Sequence, residues 1–281
     1  MKRRILIVPN PRMDDAVAAA HVARDALERH GIEACSEVGD ATVEAAIVFG
    51  GDGTMLHAAQ LVRGTSAPLL GVNMGHVGFL AELEREDINA AVDRLVAGDY
   101  GVDERGTVDV LVTHPDGTTS TGWALNEATV ERSDLRRTLD LSLEVDGHPL
   151  SSFGCDGVVI ATATGSTAHA FSAGGPVVWP DVDALLMVPL AAHALFARPL
   201  VVGPRSVFGI DVLKRSDADC LVVLDGARSI EVARGGRVEV RTGAHKVRLA
   251  RMSDAPFTER LVRKFALPTL GWRGARGAGE E

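Results

Sequence analysis

A single carboxylate enclosed by glycines is the feature of this sequence that most directly suggests chemistry. The apolar run at residues 45–49 stops at Gly50-Gly51-Asp52-Gly53-Thr54, and helix-compatible residues follow. This order predicts a strand, a tight loop and a helix. Glycines let backbone amides approach a bulky anion, and the helix N-terminus that follows favours negative charge. A carboxylate placed there is useful when it takes a proton from a hydroxyl or binds a cation, so Asp52 indicates phosphoryl transfer.

The local sequence leaves a plainer interpretation of this loop open. Asp52 could simply be the N-cap of the helix after a glycine turn. The spacing matches neither the dinucleotide signature GxGxxG nor the Walker signature GxxxxGK[ST]. If the loop does hold the phosphates of a donor, the candidate positions are Gly50, Gly51, Gly53 and Thr54.

A second glycine-rich loop follows the next apolar run. Residues 67–80 read APLLGVNMGHVGFL, which predicts a strand that ends in a loop containing Asn73 and His76. Two such loops at strand ends of one parallel sheet form a crevice. His76 fits an ordinary loop histidine as well as a ligand-binding role, because no ligand set accompanies it.

The second half of the chain contains two further polar motifs. Residues 156–176 read DGVVIATATGSTAHAFSAGGP, so a strand gives way to hydroxyls and glycines that suit hydrogen bonding to a sugar, an amide or an adenine edge. The alternative is a Ser/Thr-rich loop before an N-capped helix. Asn126-Glu127 follows an apolar run and could hold two vicinal ribose hydroxyls, although a turn or strand cap is the more frequent explanation of such a pair.

The elements around these motifs divide the chain into an α/β part and a β part. Up to residue 98, strands and amphipathic helices alternate, which predicts a parallel sheet with crossover helices. Beyond it, short β-branched runs are separated by turn pairs, with hairpin turns expected at residues 116–117, 146–147, 225–226 and 235–236. We expect an α/β domain over 1–105, a β-rich domain over 106–261, and a tail over 262–281 that packs back on the first domain and is disordered from residue 273.

Composition and charge exclude several classes of protein. The 281 residues are 46% hydrophobic and 24% charged, as in ordinary soluble globular proteins. The net charge of -9 argues against nucleic-acid binding by phosphate neutralisation. The sequence has three widely spaced cysteines, Cys35, Cys155 and Cys220, whose spacing supports neither a disulfide framework nor a zinc site. We therefore expect a protein of the reducing cytoplasm that holds no metal with its own side chains. Neither a signal peptide nor a membrane-spanning run is expected.

Together and in this order, the motifs resemble those of NAD kinases over nearly the whole chain. A lone GGDG is only moderately specific, because diacylglycerol and sphingosine kinases share it, whereas all the motifs in register are highly specific. The tail also looks like that of actinobacterial members. The motifs are GGDGT at 50–54, LGVNMGHVGFL at 70–80, NE at 126–127, DG at 156–157, TGSTA at 164–168, SAGGP at 172–176, FALP at 265–268 and GWRG at 271–274.

This resemblance implies a Rossmann-like parallel N-terminal domain and a β-sandwich-like C-terminal domain that binds NAD. It also implies transfer of a phosphoryl group from ATP or inorganic polyphosphate, together with Mg²⁺, to the 2′-hydroxyl of the adenosine ribose of NAD. The product is NADP. The expected assembly is a homodimer or homotetramer in which NAD is bound partly across the subunit interface.

Matching positions carry the family's site residues onto this chain. The resemblance implies that Asp52 is the base that takes the 2′-hydroxyl proton. It places Asp156 and Ala191 where the neighbouring subunit reaches the dinucleotide, and it puts His57 and Arg137 beside the ligand in some members. The remaining NAD-binding positions are Gly53, Asn126, Glu127, Thr164, Thr167, Ala168, His169 and Ser172.

The chain departs from the family pattern at three positions. His169 stands where tyrosine is usual, so stacking on the base would be weaker or pH-dependent. Ala163 replaces a usual proline, which makes the loop less rigid before binding. Ala227 stands where a glutamine or arginine often touches the ligand, a role that Arg228 could take.

Two other functions fit parts of the sequence. A lipid kinase of the diacylglycerol type would share the glycine loop, but it does not explain the NAD-pocket motifs, and the chain lacks a basic amphipathic helix for a membrane surface. A non-catalytic NAD(P) sensor would keep the pocket, but it does not explain Asp52.

Overall fold

A computed structural model describes residues 3–39, 43–75, 78–83 and 88–269. The chain forms two compact units, one comprising residues up to Glu104 together with those from Arg248 onward, the other Arg105–Val247. The expectations for His76 and for the last part of the tail, from residue 270, lie outside the described residues. No helix in the described ranges is long and apolar enough to cross a membrane.

The first unit is an α/β structure, as the alternation of strands and helices predicted. Its elements are β1 (Arg4–Pro9), α1 (Asp14–Arg29), β2 (Glu33–Cys35), β3 (Ala45–Gly50), α2 (Asp52–Leu61), β4 (Leu69–Asn73), α3 (Ile88–Ala97), β5 (Gly101–Arg105), β18 (Val247–Arg251) and α5 (Phe257–Phe265). The strands form one sheet in the order β2-β1-β3-β4-β18-β5. The pairs β1/β2, β1/β3, β3/β4 and β4/β18 are parallel.

The central strands β1, β3 and β4 are buried on both faces of the sheet, which explains why they are continuous apolar runs. Alternate residues such as Ile5, Ile47 and Phe49 belong to one core cluster with α1 and α3. Their strand neighbours, including Leu6 and Val48, are buried as well. Helix α1 faces the core with five alanines and one leucine, and such small side chains allow a close approach of helix to sheet.

The second unit ends at Val247, earlier than the expected residue 261. Strand β18 pairs in parallel with β4, with Leu249 opposite Leu69, so the chain rejoins the first sheet here. The β-branched run at 247–249 predicted a strand correctly, but a strand pattern does not indicate which sheet it joins.

The second unit is a β-sandwich. Its strands are β6 (Val108–Thr113), β7 (Thr119–Ala124), β8 (Glu127–Arg132), β9 (Leu139–Val145), β10 (His148–Cys155), β11 (Gly157–Thr162), β12 (Leu185–Leu190), β13 (Leu200–Val202), β14 (Val207–Val212), β15 (Cys220–Leu224), β16 (Arg228–Val232) and β17 (Arg237–Thr242), with a short helix α4 (His169–Ser172). Two six-stranded sheets run β10-β9-β14-β17-β6-β7 and β13-β12-β11-β8-β15-β16. One core cluster contains residues from both sheets, such as Val110, Leu141, Val158 and Val222, which confirms the predicted fold class.

Three of the four expected hairpin turns are confirmed. They join β6 to β7, β9 to β10 and β15 to β16, and their glycines Gly117, Gly147 and Gly226 have φ of 85°, 77° and 66°. The expectation at Gly235-Gly236 is wrong, because this turn joins β16 of one sheet to β17 of the other. The same turn residues serve both kinds of connection.

Candidate active site

The carboxylate of Asp52 is held by a second loop of the first unit. Gly51 is the N-cap of α2 and Asp52 is the first helical residue, so the carboxylate is not the helix cap. The backbone N–H of Phe79 donates to both carboxylate oxygens, at 3.1 and 3.0 Å, and the N–H of Leu80 donates to Oδ1 at 3.0 Å. Two amide donors, which make three contacts, fix its position while each oxygen keeps acceptor capacity for a ligand hydroxyl.

Glycines make this approach of the two loops possible. A Cβ at Gly78 would overlap the carboxylate of Asp52, and one at Gly50 would overlap the side chain of Thr54. At Gly51 and Gly53, in contrast, a Cβ would meet no atom of the described residues within 4 Å. The backbone at these two positions is therefore open to an approaching anion, next to the positive end of α2.

The position of Asp52 in the sheet is one where ligands bind in α/β proteins. The chain passes from β1 to β2 on one side and β3 lies on the other side of β1, so the order of the sheet reverses between β1 and β3. The two strands stay paired to their carboxyl ends, since the N–H of Asn10 donates to the carbonyl of Phe49 at 2.8 Å. The glycine loop that carries Asp52 follows β3 and lies beside this switch point, whereas the second glycine-rich loop follows β4, the next strand of the sheet.

Two polar side chains on neighbouring elements, Asn73 and His57, differ in their exposure. Asn73 is buried, and its Oδ1 accepts the N–H of Gly75 at 3.2 Å, so it shapes the loop after β4. His57 is exposed on α2.

In the second unit, Asp225 organises the Asn126-Glu127 motif. Asp225 lies in the β15–β16 turn with φ of 51°. Its carboxylate accepts the N–H of Leu125 at 2.9 Å and the N–H of Asn126 at 2.7 Å. On the other side, the N–H of Thr162 donates to the carbonyl of Asn126 at 2.9 Å. The motif at the start of β8 is therefore fixed by two segments distant in sequence.

Glu127 is a buried carboxyl group in an unusual electrostatic environment. Burial raises its pKa to about 7, the nearby Asp225 raises it as well, and the backbone N–H of His169 opposes this. Its Oε2 is one of the buried side-chain atoms in the described part of the chain that have no hydrogen-bond partner. A buried carboxylate oxygen of this kind suits a ligand hydroxyl, because the ligand would supply the missing donor.

Arg228 completes this cluster of charges. Its Nη2 lies 3.2 Å from Oδ2 of Asp225, and its guanidinium lies 5.0 Å from the ring centroid of Trp123. Burial raises the pKa of Asp225, which the Leu125 and Asn126 amides and Arg228 oppose. Burial also lowers the pKa of Arg228 itself. Arg228 therefore stabilises the charge of the buried Asp225 carboxylate.

The hydroxyl-rich segment packs directly on this motif. Residues Thr164–Thr167 form a 3-10 turn, and a Cβ at Gly165 would overlap the carbonyl oxygen of Asn126. Ser166 is fully buried, and its Oγ bonds both the N–H and the carbonyl of Val178, at 2.9 and 3.2 Å, so its role is structural. A small recess of about 20 Å³ lies beside Thr162 and Thr164.

The other predicted binding residues differ in how far their side chains are exposed to solvent. Thr164 is buried, Thr167 and Ala168 are half-buried, and His169 and Ser172 are exposed on α4. Position 163, an alanine in place of the usual proline, is buried ahead of the turn.

Three predicted binding residues lie away from this cluster. Asp156 and Ala191 are close to each other, because the N–H of Asp156 donates to the carbonyl of Leu190 at 3.0 Å. Since Ala161 is opposite Glu127 in the β11/β8 pair, Asp156 lies about 16 Å from Glu127 along the strand. Arg137 is exposed and its Nη1 donates to the carbonyl of Asp217 at 3.0 Å.

Sequence reasoning missed Gly78, Phe79 and Leu80 as partners of Asp52, and Asp225 as partner of Asn126. Backbone amides carry no side-chain signal, and the Asp-Gly pair at 225–226 was fully explained by its turn. Within the described ranges, no three His, Cys, Asp or Glu side chains are grouped so that they could hold a metal ion.

Comparison with known proteins gives a family match for each of the two units. Residues 6–100 match the model of the ATP-NAD kinase N-terminal domain, and residues 125–252 match that of the ATP-NAD kinase C-terminal domain. An NAD kinase of Leifsonia xyli subsp. xyli is 56% identical over 242 residues, which cover 86% of this chain and 80% of that protein.

Two solved structures share the fold at low sequence identity. Yeast NADH kinase complexed with NADH aligns with a TM-score of 0.88 at 18% identity, covering 95% of this chain and 88% of that one. An NAD kinase from Archaeoglobus fulgidus in complex with ATP aligns with a TM-score of 0.75 at 24% identity, covering 95% and 100%. The resemblance drawn from the motifs is confirmed: this chain belongs to the NAD kinase family.

Proposed function

We propose that this protein is an NAD kinase that transfers a phosphoryl group from MgATP to the 2′-hydroxyl of the adenosine ribose of NAD. The observation that carries the proposal is the carboxylate of Asp52, held by the Phe79 and Leu80 amides at the N-terminus of α2, in a chain of this family. Phosphoryl transfer to a hydroxyl requires a group that accepts the proton of the hydroxyl and a site for the phosphates of the donor. A carboxylate beside an open glycine loop provides both.

In the proposed reaction, Asp52 accepts the proton of the 2′-hydroxyl. The ribose oxygen forms a bond to the γ-phosphorus, the bond from that phosphorus to the β–γ bridging oxygen breaks, and ADP leaves. The amides of Gly51 and Gly53 and the positive end of α2 hold the donor phosphates, since the backbone is open at both glycines. Orientation of the reactants supplies roughly 7–11 kcal/mol of such an acceleration.

The second unit would bind the dinucleotide. Asn126 and Glu127 hold ribose hydroxyls, which is supported by the unpartnered Oε2 of Glu127 and by its burial. The segment from Thr164 to Ser172 contributes the pocket for the adenosine, with Thr164, Thr167, Ala168, His169 and Ser172 as the contacting positions. The exposed ring of His169 takes the place that tyrosine has in the family.

We further propose that the protein acts as a homodimer or homotetramer in the cytoplasm. Asp156 and Ala191 lie too far from Glu127 to contact the same ribose, which fits a role toward the dinucleotide of a neighbouring subunit. Exposed apolar side chains on the second unit, such as Leu195 and Phe196, suit a subunit interface. His57 and Arg137 remain candidate positions beside the ligand.

The test is formation of NADP from defined substrates. The purified protein is incubated with NAD or NADH and with MgATP or Mg-polyphosphate, and products are separated by chromatography, with ³¹P NMR to assign the 2′-phosphate. With NAD and MgATP, NADP and ADP in equal amounts are expected. Binding of NAD without any phosphorylated product would indicate the sensor function. In a parallel reaction with diacylglycerol and MgATP, phosphorylation of the lipid together with no NADP from NAD would indicate a lipid kinase.

A further inference from the structure

The loop that holds Asp52 is itself held by the C-terminal helix α5. Arg260 of α5 is mostly buried, with its side chain 15% exposed. Its Nη1 donates to the carbonyl of Phe79 at 3.4 Å, and its Nη2 lies 3.7 Å from Oε2 of Glu82. Phe79 thus donates its N–H to Asp52 and accepts from Arg260 with its carbonyl.

The ring of Phe79 makes a second connection to the same helix. It lies between Phe257 and Phe265, with ring centroids 5.8 and 5.9 Å away. These two residues begin and end α5. Tilted aromatic rings at such distances attract each other beyond the effect of their buried area. Both ends of α5 therefore contact one residue of the loop.

Glu82 fixes the other end of this loop. Its carboxylate accepts the N–H groups of Met252 and Ser253 at 2.9 and 2.7 Å, and Arg251 approaches it at 3.1 Å. The chain that leads from β18 to α5 is thereby attached to the residue that Arg260 also contacts.

Packing does not restrain the loop from every side. Among the described residues, a recess of about 310 Å³ opens beside it, lined among others by Asn73, Gly78, Glu82 and Arg260. The loop can therefore shift toward open space if its contacts with α5 are lost. Because Asp52 depends on the Phe79 and Leu80 amides, such a shift would move the carboxylate.

We propose that Arg260, with the aromatic contacts of α5, is a positioning residue for phosphoryl transfer: it fixes Phe79 and through it the carboxylate of Asp52. This proposal rests on the proposed role of Asp52 as the base. It predicts that Arg260 affects turnover only while the carboxylate is present.

The test is a double-mutant cycle between Arg260→Met and Asp52→Asn, with kcat, the KM of NAD and MgATP, and Tm measured for all four proteins. Methionine keeps the apolar stem and removes the guanidinium. We expect a 10- to 100-fold loss of kcat with unchanged KM in the Asp52 background, since a misplacement of about 1 Å costs up to roughly 10²-fold. In the D52N background the same substitution is expected to change the residual single-turnover rate by less than about 2-fold, because nothing remains to be positioned.

Two variants complete the design. Lys264→Met, at an exposed position of the same helix, is the matched control and is expected to keep wild-type kcat. Arg260→Lys keeps the charge but not the planar fork, so a loss of a few-fold in kcat is expected, again only in the Asp52 background. If R260M does not fold, the cycle is run with R260K.

Three results would overturn the proposal: an unchanged kcat in R260M, an equal loss in both backgrounds, or a raised KM for MgATP at constant kcat, which would place Arg260 on the donor. Failure of the proposed role of Asp52 has a different signature, because D52N alone would then keep wild-type turnover. Failure of the proposed function would leave even the wild type without NADP formation.

Discussion

Gly78 offers a direct way to displace the carboxylate of Asp52 without changing its chemistry. In Gly78→Ala, the new Cβ would lie 2.8 Å from Cγ and 3.0 Å from Oδ2 of Asp52. Ordinary contacts of a Cβ begin at 3.4 Å, so the carboxyl carbon must retreat by at least about 0.6 Å. Displacements of this order are expected to cost about 10- to 100-fold in kcat, equivalent to roughly 1.4–2.7 kcal/mol.

The assay is continuous NADP formation, coupled to a dehydrogenase specific for NADP, with Tm measured in parallel. Gly75→Ala is the matched control in the same loop, since its Cβ would meet only Cε of Met13, at 3.8 Å. We expect the control to retain kcat within about twofold. Wild-type kcat in G78A, or an equal loss in both variants, would refute the reasoning that the position of this carboxylate limits the rate.

Three further predictions concern the second unit. Because the pKa of Glu127 is raised from 4.5 to about 7, ionisation of this buried carboxyl lowers the free energy of unfolding as pH rises through that range. Glu127→Gln should therefore raise the free energy of unfolding at pH 8 by up to about 3 kcal/mol. Denaturant titration should find this gain at pH 8 and not at pH 4.5. Asp225→Asn leaves one acceptor oxygen for the amides of Leu125 and Asn126, so denaturant titration should show a loss of about 1–3 kcal/mol and calorimetry a weaker affinity for NAD. Burial raises the pKa of the Cys155 thiol to about 12, so peptide mass spectrometry should find it unmodified after iodoacetamide treatment of the native protein at pH 8 and alkylated after unfolding.

Local pattern was enough to predict the elements that carry the site. The apolar run before Gly50 and the helix after it follow from side-chain periodicity and glycine placement, and the structure has β3 and α2 where these signals put them. The hairpins at residues 116–117, 146–147 and 225–226 follow from turn chemistry alone. Local sequence signals are sufficient to predict an element when interactions between residues close in sequence determine it.

Long-range pairing was not predictable in the same way. The turn at Gly235-Gly236 has hairpin residues but joins two different sheets, and the strand from Val247 joins the sheet of the first unit. Likewise, the donors to Asp52 are backbone amides 27 and 28 residues away. No side-chain type marks such contacts, so only the folded chain brings them together.

The contact of Asp225 with the Asn126 segment was not predicted, because the turn already explained why an Asp-Gly pair stands at 225–226. An Asp-Gly pair between two β-branched runs is accounted for by its turn, with φ of 51° at Asp225. The same geometry aims the carboxylate at two amides about 100 residues earlier. The sequence thus predicted the conformation of the turn and not the contact that the conformation makes.

The central claim is that Asp52 accepts the proton of the NAD 2′-hydroxyl, and it is tested most directly by comparing wild type with Asp52→Asn. Dissociation constants for NAD are measured by calorimetry, and NADP formation with MgATP is measured in single-turnover experiments. The account predicts an unchanged Kd for NAD within about threefold and a fall in rate of about 10²- to 10⁴-fold, the usual contribution of a general base. A D52N protein that forms NADP at the wild-type rate would contradict it.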